Sequence, residues 1–174
     1  MDNITLSLAN TSDFEIIKNT MLKALQTDPT AFSIGYSEYS NNEDYWWRSY
    51  LNPFLFKNSQ EMVIAKENNN LVGIAGIIYE NRERKKHTAT LVWFYIDQIY
   101  RGKGISKVIM NKILELANNR KIEKISLMVN QNQERAISLY KKYGFIEAGT
   151  LKKEIKIDSN YYDVYIMELF LKNL

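Results

Sequence analysis

One strand–helix–strand unit in the middle of the chain constrains the fold more than any other feature of the sequence. Residues 88–97 form a strong strand pattern, residues 103–118 repeat apolar side chains at helical spacing, and residues 125–129 form a short buried strand. Strands joined by such a helical crossover lie parallel in one sheet. Elsewhere, short polar turns join 61–66 to 71–79 and 150–157 to 161–171, which favours antiparallel hairpins.

The remaining segments complete a mixed α/β (α+β) pattern. Residues 4–8 alternate as a strand, and the sequence from Ser12 to Glu15 reads as a capping box that begins a helix, which Asp28-Pro29 ends. Further helices are predicted at about 39–51 and 133–143. The order β-α-α-β-β-β-α-β-α-β-β predicts a mixed, mostly antiparallel central sheet flanked by helices. Because no repeat or linker interrupts it, we expect a single domain over residues 1–174.

Composition excludes most metal and covalent chemistry. The chain has no cysteine and one histidine, His87, so it has neither a thiol nucleophile nor a thiolate or histidine-rich metal site. We therefore expect no metal. A net charge of +3 is too small for a dedicated nucleic-acid binder, and the basic run 82–86 is typical of a solvated turn. No signal peptide or membrane-length apolar run is visible, which favours a cytoplasmic protein without membrane contact.

A helix that begins on glycines is the segment that points to chemistry. The strand at 88–97 leads into Arg101-Gly102-Lys103-Gly104-Ile105-Ser106, where a helix begins without the usual Ser, Thr, Asp or Asn cap. The amides of its first turn then remain for an external anion, which the glycines allow to come close. Two common phosphate motifs do not fit this segment. The pattern indicates a diphosphate-binding loop, and the alternative is a plain glycine turn into a helix.

A second segment makes the pair of motifs recognisable. Residues 129–145 run from a buried strand through polar amides into a helix that Gly144 ends. Residues 101–106 resemble the Gln/Arg-x-x-Gly-x-Gly/Ala motif of the GNAT superfamily of N-acetyltransferases. Residues 136–145, Ala-Ile-Ser-Leu-Tyr-Lys-Lys-Tyr-Gly-Phe, resemble the second motif of that family. The order of elements and the segment 28–32 are also similar, so the resemblance implies a GNAT-like fold along the whole chain.

The resemblance implies acetyl-CoA as co-substrate and a direct transfer of its acetyl group to a primary amine. Tyr140 matches the general acid of the family, which protonates the leaving thiolate. The backbone at Phe94, Tyr95 and Ile96 would pair with the pantetheine arm. The amides of the loop would hold the pyrophosphate, with added charge from Arg101, Lys103 and Lys107. The implied loop residues are Arg101, Gly102, Lys103, Gly104, Ile105 and Ser106.

Three departures from the family pattern affect the expected site. Ser106 replaces the usual small Gly or Ala, and Gln133 stands where the family commonly has Asn for a pantetheine contact, so that either Gln133 or Asn132 makes it. The strand before the loop offers no carboxylate as general base. An ordered water, or Glu38, Glu43 or Glu80, is left for that role.

The acceptor is expected to be a small-molecule or peptide amine. Residues 36–56 are dense in aromatic side chains, and Glu38, Glu43 and Asp44 lie among them, which predicts an aromatic and acidic wall for a cationic amine. A polyamine, an aminoglycoside-like compound and a peptide amino terminus all remain open, as do a monomer and a homodimer. Two other hypotheses compete: a catalytically silent acyl-CoA sensor of the same fold, and a nucleic-acid-binding domain.

Overall fold

The computed structural model describes residues 3–56 and 59–171, and its centre is a seven-stranded sheet of order β1-β2-β3-β4-β5-β7-β6. The bounds are β1 Ile4–Leu8, α1 Phe14–Thr27, α2 Tyr36–Ser40, α3 Asp44–Leu55, β2 Gln60–Glu67, β3 Asn70–Tyr79, β4 Thr88–Ile96, α4 Ile105–Asn119, β5 Lys124–Asn130, α5 Glu134–Lys142, β6 Ile146–Ile157 and β7 Asn160–Phe170. Within these residues, no helix is both long and apolar enough to span a bilayer.

Strand pairing follows the prediction from the central strand–helix–strand unit. Strands β4 and β5, which α4 connects, are parallel, and the other neighbouring strands are antiparallel. The parallel register is short, with Thr88–Thr90 opposite Lys124–Ser126. A mixed, mostly antiparallel sheet flanked by helices is therefore confirmed.

Alternating side chains divide the interior into two layers. On β2, Val63 and Ala65 pack in the layer that contains α4 and α5, whereas Met62 and Ile64 pack in the layer that contains α1–α3. This is the period-two pattern of a strand that is covered on both faces. The sheet therefore lies between two helical layers, and the gap described below opens between its central strands.

Two local predictions in the first third of the chain were wrong in detail. The helix expected at 39–51 is two helices, α2 and α3. Between them the Asn42 side chain donates to the Glu38 carbonyl at 2.8 Å and so ends α2. The capping box lies two residues earlier than predicted: Asn10 accepts from the Ser12 amide at 2.9 Å, and Asp13 accepts from the Asn10 amide at 3.0 Å. The box caps a short 3-10 turn that leads into α1.

Candidate active site

The central feature of the site is a gap between the two parallel strands. After Thr90 and Ser126 the strands β4 and β5 no longer pair, and a cavity of about 1350 Å³ lies between their diverging ends. The cavity is lined by residues 91–96 of β4, by 127–129 of β5, and by both of the loops that carry the two motifs. The β5-facing edge of β4 is thus left for another extended chain to pair with.

A β-bulge explains why β4 turns away from β5. Ile74 of β3 lies opposite Tyr95, and Gly76 lies opposite Val92, so Trp93 and Phe94 together face the single residue Ala75. Trp93 has a φ of +53°, in the left-handed region that β-bulges use. The bulge therefore lies next to Tyr95, and it bends the strand at the cavity wall.

The helix that begins on glycines has the predicted geometry. Gly102 and Gly104 have φ values of +79° and +82°, and α4 begins at Ile105 with no side-chain cap. Within the described part of the chain, the amides of residues 102–106 donate to no backbone or side-chain acceptor. The Arg101 amide donates to the Gln98 carbonyl at 3.2 Å and is already satisfied. Five consecutive free amides at a helix start form an anion-binding site.

The Arg101 side chain is engaged within the protein. Its guanidinium pairs with Asp28 at 2.7 Å and donates from Nε to the Ile96 carbonyl at 2.9 Å. The hydrogen bond to Asp28 raises the pKa of Arg101. Lys103 is exposed and lies 4.8 Å above the Tyr100 ring, and Lys107 is exposed on the first turn of α4. The two lysines therefore carry the solvent-facing positive charge of this loop.

Tyr140, on α5, lines the same cavity as the glycine loop, residues 101–106. Its ring is buried and packs edge-to-face against Phe94, with 6.0 Å between the ring centroids. Among the residues that the structure describes, the hydroxyl has no hydrogen-bond partner. Burial raises the pKa of Tyr140 above its ordinary value. The phenol therefore keeps its proton at neutral pH, as a proton donor must.

The polar residues between β5 and α5 also line the cavity. The buried Asn130 side chain accepts from the Asn132 amide at 2.9 Å, which fixes the turn. Gln133 donates from Nε2 to Thr30 Oγ1 at 3.0 Å, so its amide group bridges to the segment between α1 and α2. Asn132 is exposed and makes no side-chain hydrogen bond in the described residues. Of the two, Asn132 is the residue with a free amide group.

The structure brings almost all of the predicted site residues to one cavity. Its lining includes Phe94, Tyr95, Ile96, Arg101, Gly102, Ile105, Ser106, Asn132, Gln133 and Tyr140. Lys103 and Gly104 belong to the same loop but do not line the cavity.

The predicted acidic wall is not present. Glu38, Glu43 and Asp44 are exposed and do not line the cavity, and Asp44 instead pairs with Lys18. Glu80 pairs with Arg82, which lowers the pKa of Glu80 to about 2 and makes it a weak base. The carboxylates that do line the cavity are those of Asp28, held by Arg101, and Glu134.

Sequence reasoning missed three contributors to the cavity. Trp93 lies in the α1–α3 layer together with Val92, because the bulge breaks the alternation that would have placed it with Leu91. Asp28 contributes a carboxylate rather than only a helix end. Phe32 packs 5.1 Å from Trp93, between ring centroids. The only signal for the contact between Phe32 and Trp93 was the presence of an aromatic residue three positions after Pro29.

Comparison with known proteins assigns the family. The model of the acetyltransferase (GNAT) family matches residues 20–145. An L-amino acid N-acetyltransferase, AaaT of Escherichia coli, is 26% identical over 96% of this chain and 98% of its own. A spermidine N(1)-acetyltransferase of Vibrio cholerae is 24% identical over 84% of this chain and 92% of its own.

The fold agrees with this assignment. The structure of yncA, an acetyltransferase from Salmonella typhimurium with its cofactor acetyl-CoA, superimposes with a TM-score of 0.82 at 16% identity and covers 98% of this chain and 95% of that one. The chain belongs to the GNAT family of N-acetyltransferases, and by that membership it is an acyltransferase. The resemblance inferred from the two motifs is confirmed.

Proposed function

We propose that the protein transfers the acetyl group of acetyl-CoA to the primary amine of a small molecule, with Tyr140 as the general acid. One observation carries the proposal. Gly102, Ile105 and Ser106 of the glycine loop line the same cavity as Tyr140, and within the described residues neither the loop amides nor the Tyr140 hydroxyl has a hydrogen-bond partner. An extended molecule whose anionic end is held by the loop amides would share this cavity with the phenol.

The residues of the cavity fit the three parts of acetyl-CoA. The amides of residues 102–106 would accept the pyrophosphate, and Lys103 and Lys107 would add charge near it. The free edge of β4 at Phe94 and Tyr95 would pair with the pantetheine amides, and Asn132 or Gln133 would contact the same arm. The Ile96 carbonyl already accepts from Arg101. A pantetheine amide that pairs at Ile96 would therefore share this carbonyl with the Arg101 side chain.

The transfer needs no covalent enzyme intermediate. The amine nitrogen attacks the thioester carbonyl carbon, a C–N bond forms, and the C–S bond breaks. The ammonium form of the amine first loses a proton to water, because only the neutral nitrogen can attack, and the nitrogen loses a second proton to water after the C–N bond has formed. Tyr140 donates its proton to the departing thiolate and regains one from solvent. An amide of the bulged segment at Phe94 and Tyr95 would stabilise the oxyanion. Water is the base in this scheme, since Glu38, Glu43 and Glu80 do not line the cavity, Asp28 is bonded to Arg101, and Glu134 is an exposed residue at the start of α5.

The test compares binding with turnover in the same protein. Acetyl-CoA is titrated calorimetrically, and thiol release is then followed against a panel of primary amines. Tyr140→Phe should lower kcat by about 100-fold or more, the scale of general-acid catalysis, while the dissociation constant of acetyl-CoA changes less than about threefold. Tyr143→Phe is the matched control. This tyrosine lies three residues further along the chain, and its hydroxyl donates to the Lys107 carbonyl and to Asn111 Oδ1.

Unchanged turnover in Tyr140→Phe contradicts the acid role. Binding without thiol release for every amine would leave either the silent acyl-CoA sensor or an acceptor outside the panel, and the absence of binding would contradict the assignment of the glycine loop.

A further inference from the structure

The end of the cavity that faces α1–α3 has an aromatic and apolar wall. Trp93, Phe54 and Phe32 line it, and Trp93 and Phe54 are almost fully buried. The Phe54 ring packs directly on the sheet because Gly76 has no side chain: a Cβ there would lie 2.9 Å from the Phe54 Cε1 atom. Ile34 and Tyr50 continue the wall toward the opening. A ligand group that enters this end meets ring faces and methyl groups.

The polar groups of this wall carry no formal charge, and two of them are hydrogen-bonded to each other. The indole Nε1 of Trp93 donates to the hydroxyl of Tyr50 at 2.7 Å, so the two polar tips satisfy each other. The other polar lining residues here are Ser33, Ser49, Gln60 and Thr90, none of which is charged. The wall therefore offers aromatic and apolar faces but no formal charge to balance an ammonium group.

No free carboxylate lies at this end among the residues that the structure describes. Of the two carboxylates that line the cavity, Asp28 is bonded to Arg101 at 2.7 Å, and Glu134 begins α5 on the side of the second motif loop. A second ammonium group would lose its hydration here without gaining an anionic partner, and isolated buried charges are strongly unfavourable.

From this wall, and resting on the proposed function, we infer that the acceptor is a primary amine with one positive charge and a bulky apolar or aromatic group. Its nitrogen reaches the thioester near Tyr140, and its apolar group fills the space between α3 and β4. Polyamines are disfavoured acceptors, because each carries a distal ammonium into the same space. This reverses the expectation of an acidic wall that residues 36–56 had suggested.

The test uses two acceptors that differ only in a distal ammonium group. Hexylamine and hexamethylenediamine have the same chain length, and thiol release gives kcat/KM for each. Hexylamine should be favoured by about tenfold or more, the scale on which hydrophobic pockets discriminate. Equal use of both amines, or preference for the diamine, overturns the inference and leaves the proposed function intact. Turnover with neither amine overturns the inference if another primary amine of the panel releases thiol, and it contradicts the proposed function if none does.

Variants test whether the wall sets the preference. Ser49→Glu places a carboxylate on an exposed lining position of α3, where the fold tolerates charge, and should reduce the preference for hexylamine by about tenfold. Ile34→Glu places a carboxylate on the wall from the segment before α2, and it should reduce the preference for hexylamine by a similar factor. Tyr45→Glu is the matched control, because Tyr45 is 73% exposed on α3 and does not line the cavity. An unchanged preference in both lining variants, with normal melting curves, overturns the inference.

Discussion

The ion pair between Arg101 and Asp28 joins the glycine loop to the segment between α1 and α2. The guanidinium Nη2 lies 2.7 Å from the Asp28 carboxylate, and Nε donates to the Ile96 carbonyl, so the side chain is held on two sides. Asp28→Asn keeps the shape of the side chain and removes its charge. We expect this change to lower the stability of the folded protein and to loosen both segments.

The structure sets the size of the effect between two limits. Removing one partner of a buried pair costs about 3–5 kcal/mol, whereas an exposed pair contributes about 0–1 kcal/mol. The side chains of Arg101 and Asp28 are 33% and 15% exposed, which places this pair between those limits. We expect a loss of about 1–2 kcal/mol. For a chain of this length that lowers the melting temperature by about 2–8 °C.

A double-mutant cycle measures the pair directly. Thermal unfolding is recorded for the unaltered protein, Asp28→Asn, Arg101→Met and the double variant, and the coupling energy should be about 1 kcal/mol. Asp44→Asn is the control, because the pair of Asp44 with Lys18 lies on the surface and should contribute little to stability.

Two results would refute this reasoning. Effects of the two single variants that add to within about 0.3 kcal/mol would mean that the pair is not coupled. A fall in acetyl-CoA affinity for Arg101→Met that disappears at high salt would mean that the guanidinium acts on the phosphates, as the sequence alone had suggested.

Three further predictions concern the loop and the pH dependence of stability. Gly104→Asp should abolish acetyl-CoA binding measured by calorimetry, because a carboxylate repels the pyrophosphate; Gly104→Asn, which tolerates the same positive φ, should retain most of it. Lys107→Gln should weaken acetyl-CoA binding at low salt but not at high salt, whereas Lys112→Gln, further along α4, should not. The temperature midpoint of unfolding should decrease as the pH rises above 10. Burial raises the pKa of Tyr79 and Tyr140 in the folded protein, so only the unfolded chain loses these protons at that pH. A midpoint that stays level to pH 11 would contradict this last prediction.

The parts of the fold that are encoded locally could be predicted from the sequence. The parallel pair β4–β5 follows from the crossover helix, and both hairpins follow from their turns. The insertion of β7 between β5 and β6 could not be predicted, because it depends on pairing of β7 with β5 across more than thirty residues of intervening chain. The break between α2 and α3 depends on one side-chain hydrogen bond from Asn42.

The same distinction applies to the site. The positive φ values of Gly102 and Gly104 could be predicted from the sequence, since glycine is the residue that adopts them readily. Trp93 also has a positive φ, but its conformation arises from the register between β3 and β4, and no residue type signals it. The contact of Asp28 with Arg101 joins residues 73 positions apart and becomes visible only in three dimensions.

Two interruptions of regular pairing make this site. Strand β4 stops pairing with β5 after three residues, and α4 begins without a cap, so both elements present backbone groups that have no partner in the described chain. Unpaired backbone groups at a cavity wall are costly wherever water cannot reach them. A ligand with an extended amide arm and a diphosphate would supply partners for both elements. Its amide arm would pair with the edge of β4, and its diphosphate would accept from the amides at the start of α4. The acceptor end needs no such groups, since Trp93 and Tyr50 have already paired their polar atoms with each other. Under the proposed function, the two halves of the cavity would therefore select by different interactions: hydrogen bonds would select acetyl-CoA, and apolar contacts would select the acceptor.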